Sequence, residues 1–310
     1  MPHTSDKSAM VGLAALILGA VAIGMAAPLV KLSELGPQTV GFWRMALAIP
    51  FAFLWMLFDK NPPPVDTSPS GWKRWFYLAL PGLLFAGDLA FWHAGIKITS
   101  IANATFLANL QPVFVVLAAW LLFKEKISRN FMFSAGLAVA GAALLSVNNL
   151  TVAPERWTGD ALSVTTALWY ASYILAVRFA RRFASTGSVI FVTAAVSAPL
   201  LALTAIGFGE NIVPGTPGDW LILLGLALGV QIIGQGSVTF GLGRVAAPVA
   251  SIIILIQPVI ASIAGWWMFG EALATIQYVG GALVLTGVWW VQRKKRSVTG
   301  GRLALPPNDR

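Results

Sequence analysis

The chain has 310 residues, 57% of them hydrophobic and only 11% charged, with a formal charge of +9 and no cysteine. That leaves too little polar surface to solvate a soluble fold of this length. Disulfides, thiolate metal sites and cysteine nucleophiles are excluded outright.

Seven stretches, 10–30, 98–123, 130–154, 189–209, 220–243, 245–270 and 272–292, contain no Asp, Glu, Lys or Arg. A bilayer core about 30 Å thick is crossed by about 20 apolar residues in a helix. The chain therefore reads as an all-α membrane protein. Ten helices are expected, at 10–31, 38–58, 72–96, 101–123, 129–148, 159–181, 187–208, 219–242, 246–270 and 275–292. The first is too long for a signal-peptide core, and Ala26-Ala27-Pro28 is a poor cleavage site, so it reads as a retained helix. The 59–71 loop holds Asn61-Pro62-Pro63-Pro64, an extended spacer. Gly225 and Gly229, four apart in the eighth helix, suggest a close helix contact. Residues 297–310 read as a disordered cytoplasmic tail.

The segment 104–125, ATFLANLQPVFVVLAAWLLFKE, returns 146 positions later as ASIIILIQPVIASIAGWWMFGE. Gln111-Pro112-Val113 falls on Gln257-Pro258-Val259, Trp120 on Trp266, Phe123 on Phe269 and Glu125 on Glu271. Gly95 and Gly141 also find Gly241 and Gly287 without a gap. Chance likeness between apolar helices gives scattered Leu and Ala matches, not Gln-Pro, Trp, Phe and Glu in register. The chain thus divides into five-helix repeats, 1–150 and 151–296.

With the N-terminus in the cytoplasm, seventeen Lys and Arg fall on the inner side and Lys31, Lys97 and Arg156 on the outer. The positive-inside rule then puts both termini in the cytoplasm of a cell-membrane protein. It also accounts for the net charge without nucleic acid. Five helices per repeat is an odd number, so the second repeat enters the membrane inverted. Inverted repeats carry substrate sites near mid-membrane at their interface.

Candidate residues follow from depth. Asp88 lies near the middle of the third helix, where a carboxylate costs about 2.5–3.5 kcal/mol and needs a cavity or a partner. It either binds a substrate ammonium or a proton, or hydrogen-bonds within the bundle. Trp92 shares its face one turn on. His93 does not, and is either a proton relay or an interface histidine. Asp88 and His93 are the candidates for proton coupling. Pro112 and Pro258 each free a carbonyl and kink a helix, which marks them as hinges and Gln111 and Gln257 as cavity residues or parts of a structural kink. Asn109 and Gln111 are about 200° apart on a regular helix, so one of them is expected to face the cavity. Thr166, Trp169, Tyr170 and Tyr173 form a central stripe on the sixth helix, a cavity wall or plain packing. Gln231 and Gln235 add amides on the eighth. Lys31, Arg44 and Lys97 sit toward the outer ends of helices one to three, where long basic side chains snorkel. Glu125 and Glu271 precede helices and suit the helix dipole.

Ten helices in two repeats, paired Gln-Pro and a closing Trp-x-x-Phe-x-Glu at 120–125 and 266–271 resemble the EamA type of the drug/metabolite transporter superfamily. The resemblance spans roughly residues 10–292. It implies alternating-access export of amino acids or other small metabolites across a lipid bilayer. Sugar-phosphate carriers share that fold, but their basic binding residues find no counterpart between 220 and 243 or 245 and 292.

Other readings are broad efflux of organic cations or drugs, a channel, and a membrane-embedded enzyme. With His3 and His93 as the only histidines and Asp88 as the one mid-membrane carboxylate, the sequence offers no metal site, no aspartyl dyad and no cofactor site. A channel needs a polar file through the bundle, whereas these polar residues gather at one depth. Cysteines introduced at Ser100, Glu155 and Glu210 should react with an impermeant maleimide from outside, and ones at Ser70 and Ser297 should not. The reversed pattern would sink the orientation.

Overall fold

A computed structural model describes residues 3–59, 69–98, 107–123, 127–146, 157–270 and 273–293. These residues form the helices α1 (His3–Gly24, continued by Ala26–Leu32), α2 (Pro37–Phe58), α3 (Trp72–Ile98), α4 (Gln111–Phe123), α5 (Arg129–Ser146), α6 (Trp157–Ala180), α7 (Thr186–Gly207), α8 (Pro217–Gly225, Leu226–Gln235 and Gly236–Leu242), α9 (Ala247–Ile254 and Ile256–Phe269) and α10 (Thr275–Arg293). Seven are long and apolar enough to cross a membrane, and Gln111–Leu121 is a shorter apolar helix. The side chains of His93 and Lys97, all of Glu125 and Glu271, and the 297–310 tail lie outside the described residues.

The two repeats interleave. The closest helix pairs join one repeat to the other: α2 with α7, α5 with α10, α3 with α6 and α1 with α8. The α5–α10 pair shows the pseudo-two-fold at atomic detail. A Cβ on Gly141 would lie 2.5 Å from the Gly280 carbonyl oxygen and 2.6 Å from Val284 N. A Cβ on Gly287 would lie 2.7 Å from the Ser134 carbonyl oxygen and 2.9 Å from Ala138 N. Adding 146 to Gly141, Ser134 and Ala138 gives Gly287, Gly280 and Val284, so each contact is the image of the other. Lipid tails are as apolar as leucine, and close backbone packing therefore replaces the hydrophobic effect as the glue between such helices.

The same symmetry governs the helix ends. The Thr39 backbone N–H near the start of α2 donates to Glu210, just past the end of α7, at 2.8 Å. The Gly187 N–H near the start of α7 donates to Asp59, just past the end of α2, at 2.9 Å. Each antiparallel helix thus satisfies the positive end of the other with a carboxylate. The α7–α8 loop is fastened further by Trp43 Nε1, which donates to the Ile212 carbonyl at 2.7 Å.

Three helices break just ahead of a proline. Both expected kinks are present: the Leu110 N–H turns back to Leu107 O before Pro112, and Leu255 N–H to Ile252 O before Pro258. A third break was not expected. The 10–31 helix is interrupted at Met25, whose N–H turns to Ala22 O, three residues before Pro28. Proline lacks the N–H and clashes with the preceding turn, which accounts for all three. In α8 the Leu226–Gln235 stretch winds as a π-helix. Gly229 has nothing within 4 Å of a built Cβ, so the Gly225/Gly229 pair makes no tight helix contact there. Gly270, at φ 67°, ends α9 in the left-handed conformation that glycine adopts without a Cβ penalty.

Gly141→Val and Gly287→Val should destabilise the protein to a similar degree, by about 1–3 kcal/mol each through overpacking. Gly136→Val, at a position with nothing within 4 Å, serves as the control. Melting in detergent micelles checks this. Unequal losses, or none, would contradict the symmetric interface.

Candidate functional site

The three breaks converge. Ile23, Gly24, Ala26 and Ala27 of α1, Ala108, Asn109 and Gln111 around the α4 break, and Gln257, Pro258 and Ala261 of α9 line one cavity. Its other walls are Arg44 of α2, Phe85, Asp88, Leu89 and Trp92 of α3, Thr166 and Tyr170 of α6, and Gln235 of α8. The cavity volume is about 130 Å³.

The breaks put a polar rim on helices that are apolar elsewhere. Asn109 and Gln111 both reach the lining, against the expectation that one would turn away. That expectation assumed a regular helix, and the turn at 109–110 removes the 200° separation. The Gln111 amide also ties the repeats together, donating from Nε2 to the Ser251 carbonyl at 3.4 Å. Its Oε1, the Gln257 Nε2 and the Tyr170 hydroxyl are buried without a hydrogen bond among the described residues. Tyr170 has Gln235 and Gln257 as near neighbours, but not in hydrogen-bonding geometry. Buried polar atoms left this way mark a place where a ligand or water can bond.

Asp88 is 8% exposed and turns its carboxylate to the cavity. The facing charge is Arg44, which sequence reading placed among the snorkelling residues. It does not reach a membrane surface. Arg44 is buried, its Nε and Nη2 donate to Gln231 Oε1 at 3.2 and 3.0 Å, and its guanidinium lies 5.5 Å from the Phe85 ring centre. Its position two turns into α2 hinted at this, but the partner that holds it lies 187 positions away. Lys31 is exposed, with its ammonium 4.3 Å from the Phe269 ring centre.

Three of the expected lining residues stand behind the wall instead. Gln231 is fully buried and holds Arg44. Tyr173 is fully buried, stacks on Tyr170 at 5.7 Å and donates to Gln235 Oε1 at 3.4 Å. Trp169 packs against Gly87, where a Cβ would meet its ring at 2.7 Å, and against Phe91 at 5.8 Å. Pro112 is buried at the break behind Gln111. Among the described residues no group of three His, Cys, Asp or Glu could hold a metal ion.

Interleaved repeats closing on a small, mainly apolar cavity with a few polar groups, between broken helices, describe a membrane transporter. The chain belongs to the EamA-like transporter family, whose sequence profile matches residues 10–147 and 157–293, one match per repeat. It is 26% identical over 277 residues to an uncharacterized transporter of Archaeoglobus fulgidus, covering 89% of this chain and 94% of that protein. The riboflavin transporter ImpX of Fusobacterium nucleatum is 29% identical over 59% of this chain and 64% of its own length. The pseudopaline exporter CntI of Pseudomonas aeruginosa is 24% identical over 71% and 75%. A solved crystal structure matches the fold with a TM-score of 0.77 at 20% identity, over 95% of this chain and all of that one.

The two indoles on facing helices separate packing from binding. Trp169→Ala should cost about 2 kcal/mol of stability, below the 3–5 kcal/mol of a fully buried tryptophan, and leave KM for the transported substrate unchanged. Trp92→Ala should shift KM with a smaller effect on stability. Melting and transport kinetics on both variants check this; a KM shift confined to Trp169→Ala would reverse the assignment.

Proposed function

We propose that the chain is a secondary transporter that exports amino acids or related small metabolites by alternating access. The observation that carries this is the cavity. A volume of about 130 Å³ holds on the order of ten waters, which suits a molecule of amino-acid size. Its wall combines one carboxylate, aromatic faces and the unbonded Gln111 Oε1, Gln257 Nε2 and Tyr170 hydroxyl, which suit an ammonium group and a polar remainder. The relatives named for riboflavin and pseudopaline differ in cargo from each other, so likeness in sequence alone does not fix the cargo of this chain.

The hinge reading supports alternating access. Pro112 and Pro258 hold equivalent, inverted positions, and each follows a turn that interrupts its helix and can serve as a hinge. The π-helical stretch of α8 adds a third irregular segment against the same cavity. The charge asymmetry of the loops supports a cell-membrane protein with both termini cytoplasmic. Protons are the coupling ion that the buried Asp88 suits best.

Transport in proteoliposomes tests this reading, with radiolabelled amino acids offered first. Asp88→Asn keeps the shape and removes the charge, so it should reach the membrane folded and lose at least tenfold of the transport rate. Pro258→Ala should insert normally and slow turnover with little change in KM. Wild-type rates and pH dependence in Asp88→Asn would sink the site, and unchanged turnover in both Pro112→Ala and Pro258→Ala would leave the breaks as purely structural.

A further inference from the structure

The cavity carries two opposite charges that do not touch. Arg44 comes from α2 and Asp88 from α3, and both line the space. No hydrogen bond joins them. Arg44 has five N–H donors. Two are taken by Gln231 Oε1, and the other three meet no acceptor among the described residues. Asp88 accepts no hydrogen bond among them either. Phe85, which lies under the guanidinium, precedes Asp88 by three residues on α3. Residues three apart share a helix face, so Phe85 sets the cation against the same wall that carries the carboxylate.

Leaving two buried charges apart is costly unless something else bonds both. Within the fold the guanidinium is bonded to Gln231 and lies against Phe85, and no hydrogen bond links it to the carboxylate. A molecule carrying both an ammonium and a carboxylate would complete both shells at once. A cation alone would bond Asp88 and leave Arg44 buried beside it, and an anion alone would do the reverse. We infer that Arg44 and Asp88 form a two-pole clamp for the ammonium and carboxylate of a zwitterionic α-amino acid, and that Arg44 is the residue that sets preference for zwitterions over organic cations. The inference rests on the reading of this cavity as the transport site, and it narrows the cargo from small metabolites in general to net-neutral amino acids.

Binding to the purified full chain tests it, with leucine and phenylalanine as probes. Each is compared with its decarboxylated amine, isoamylamine or phenethylamine, and its deaminated acid, 4-methylpentanoate or 3-phenylpropanoate. Wild-type protein should bind the amino acid at least tenfold tighter than either analogue, the range of one charge-assisted hydrogen bond. Arg44→Gln should weaken amino-acid binding at least tenfold while amine binding stays within threefold or tightens. Arg44→Lys, which keeps the charge, should recover part of the loss and controls for folding. Asp88→Asn should give the mirror result, with the acid unaffected.

Equal losses for amino acid and amine in Arg44→Gln would make Arg44 a structural counter-charge and overturn the clamp. An amine that binds wild-type protein as well as its amino acid would overturn it too, yet leave the transport reading standing with cations as cargo. Failure of all six probes to bind would overturn the amino-acid reading itself.

Discussion

Hydrocarbon offers no hydrogen bonds, and that single constraint explains where this chain permits irregular backbone. Every carbonyl freed by a proline in a membrane helix must meet protein or line a water-accessible space. The breaks at Met25, at Asn109–Leu110 and at Leu255 are spread over 230 positions of sequence, yet all three abut one cavity. The polar groups in an otherwise apolar lining follow from that arrangement, since amides such as Gln111 and Gln257 sit where the helix is open. The cavity is thus the place where the fold can tolerate its own defects.

The reciprocal geometry follows from the same constraint. A helix end at the membrane edge has four orphan N–H groups. Asp59 and Glu210 serve those of the opposite repeat, so each repeat leaves a need that the other meets. The glycine faces of α5 and α10 behave alike. Neither half has a set of contacts that is complete by itself.

Much of the architecture was legible because repetition and depth are properties of sequence. The offset of 146, the paired Gln-Pro and the charge-free runs carry the fold class and the two main breaks. Arg44 was hidden because the choice between snorkelling and burial depends on a partner, and Gln231 is remote in sequence. The α1 break was hidden because Pro28 lies near the end of its run, where a proline reads as a helix boundary. Trp169, Tyr173 and Gln231 share helices with true lining residues, and regular helical spacing cannot separate a wall from the layer behind it. The expectation that only one of Asn109 and Gln111 faces the cavity failed for the opposite reason, since the break at 109–110 voids the spacing rule.

The α2–α7 exchange of carboxylates also has a bearing on how the protein is made. Thr39 waits for Glu210, 171 residues further along the chain. At ribosomal speeds of roughly 5–20 residues per second, that wait is about 10–30 seconds. Throughout it Arg44 lacks Gln231, and the glycine face of α5 lacks α10. The newborn first half is therefore a guest in the bilayer with polar atoms uncovered, in need of shelter from the insertion machinery until its inverted twin arrives.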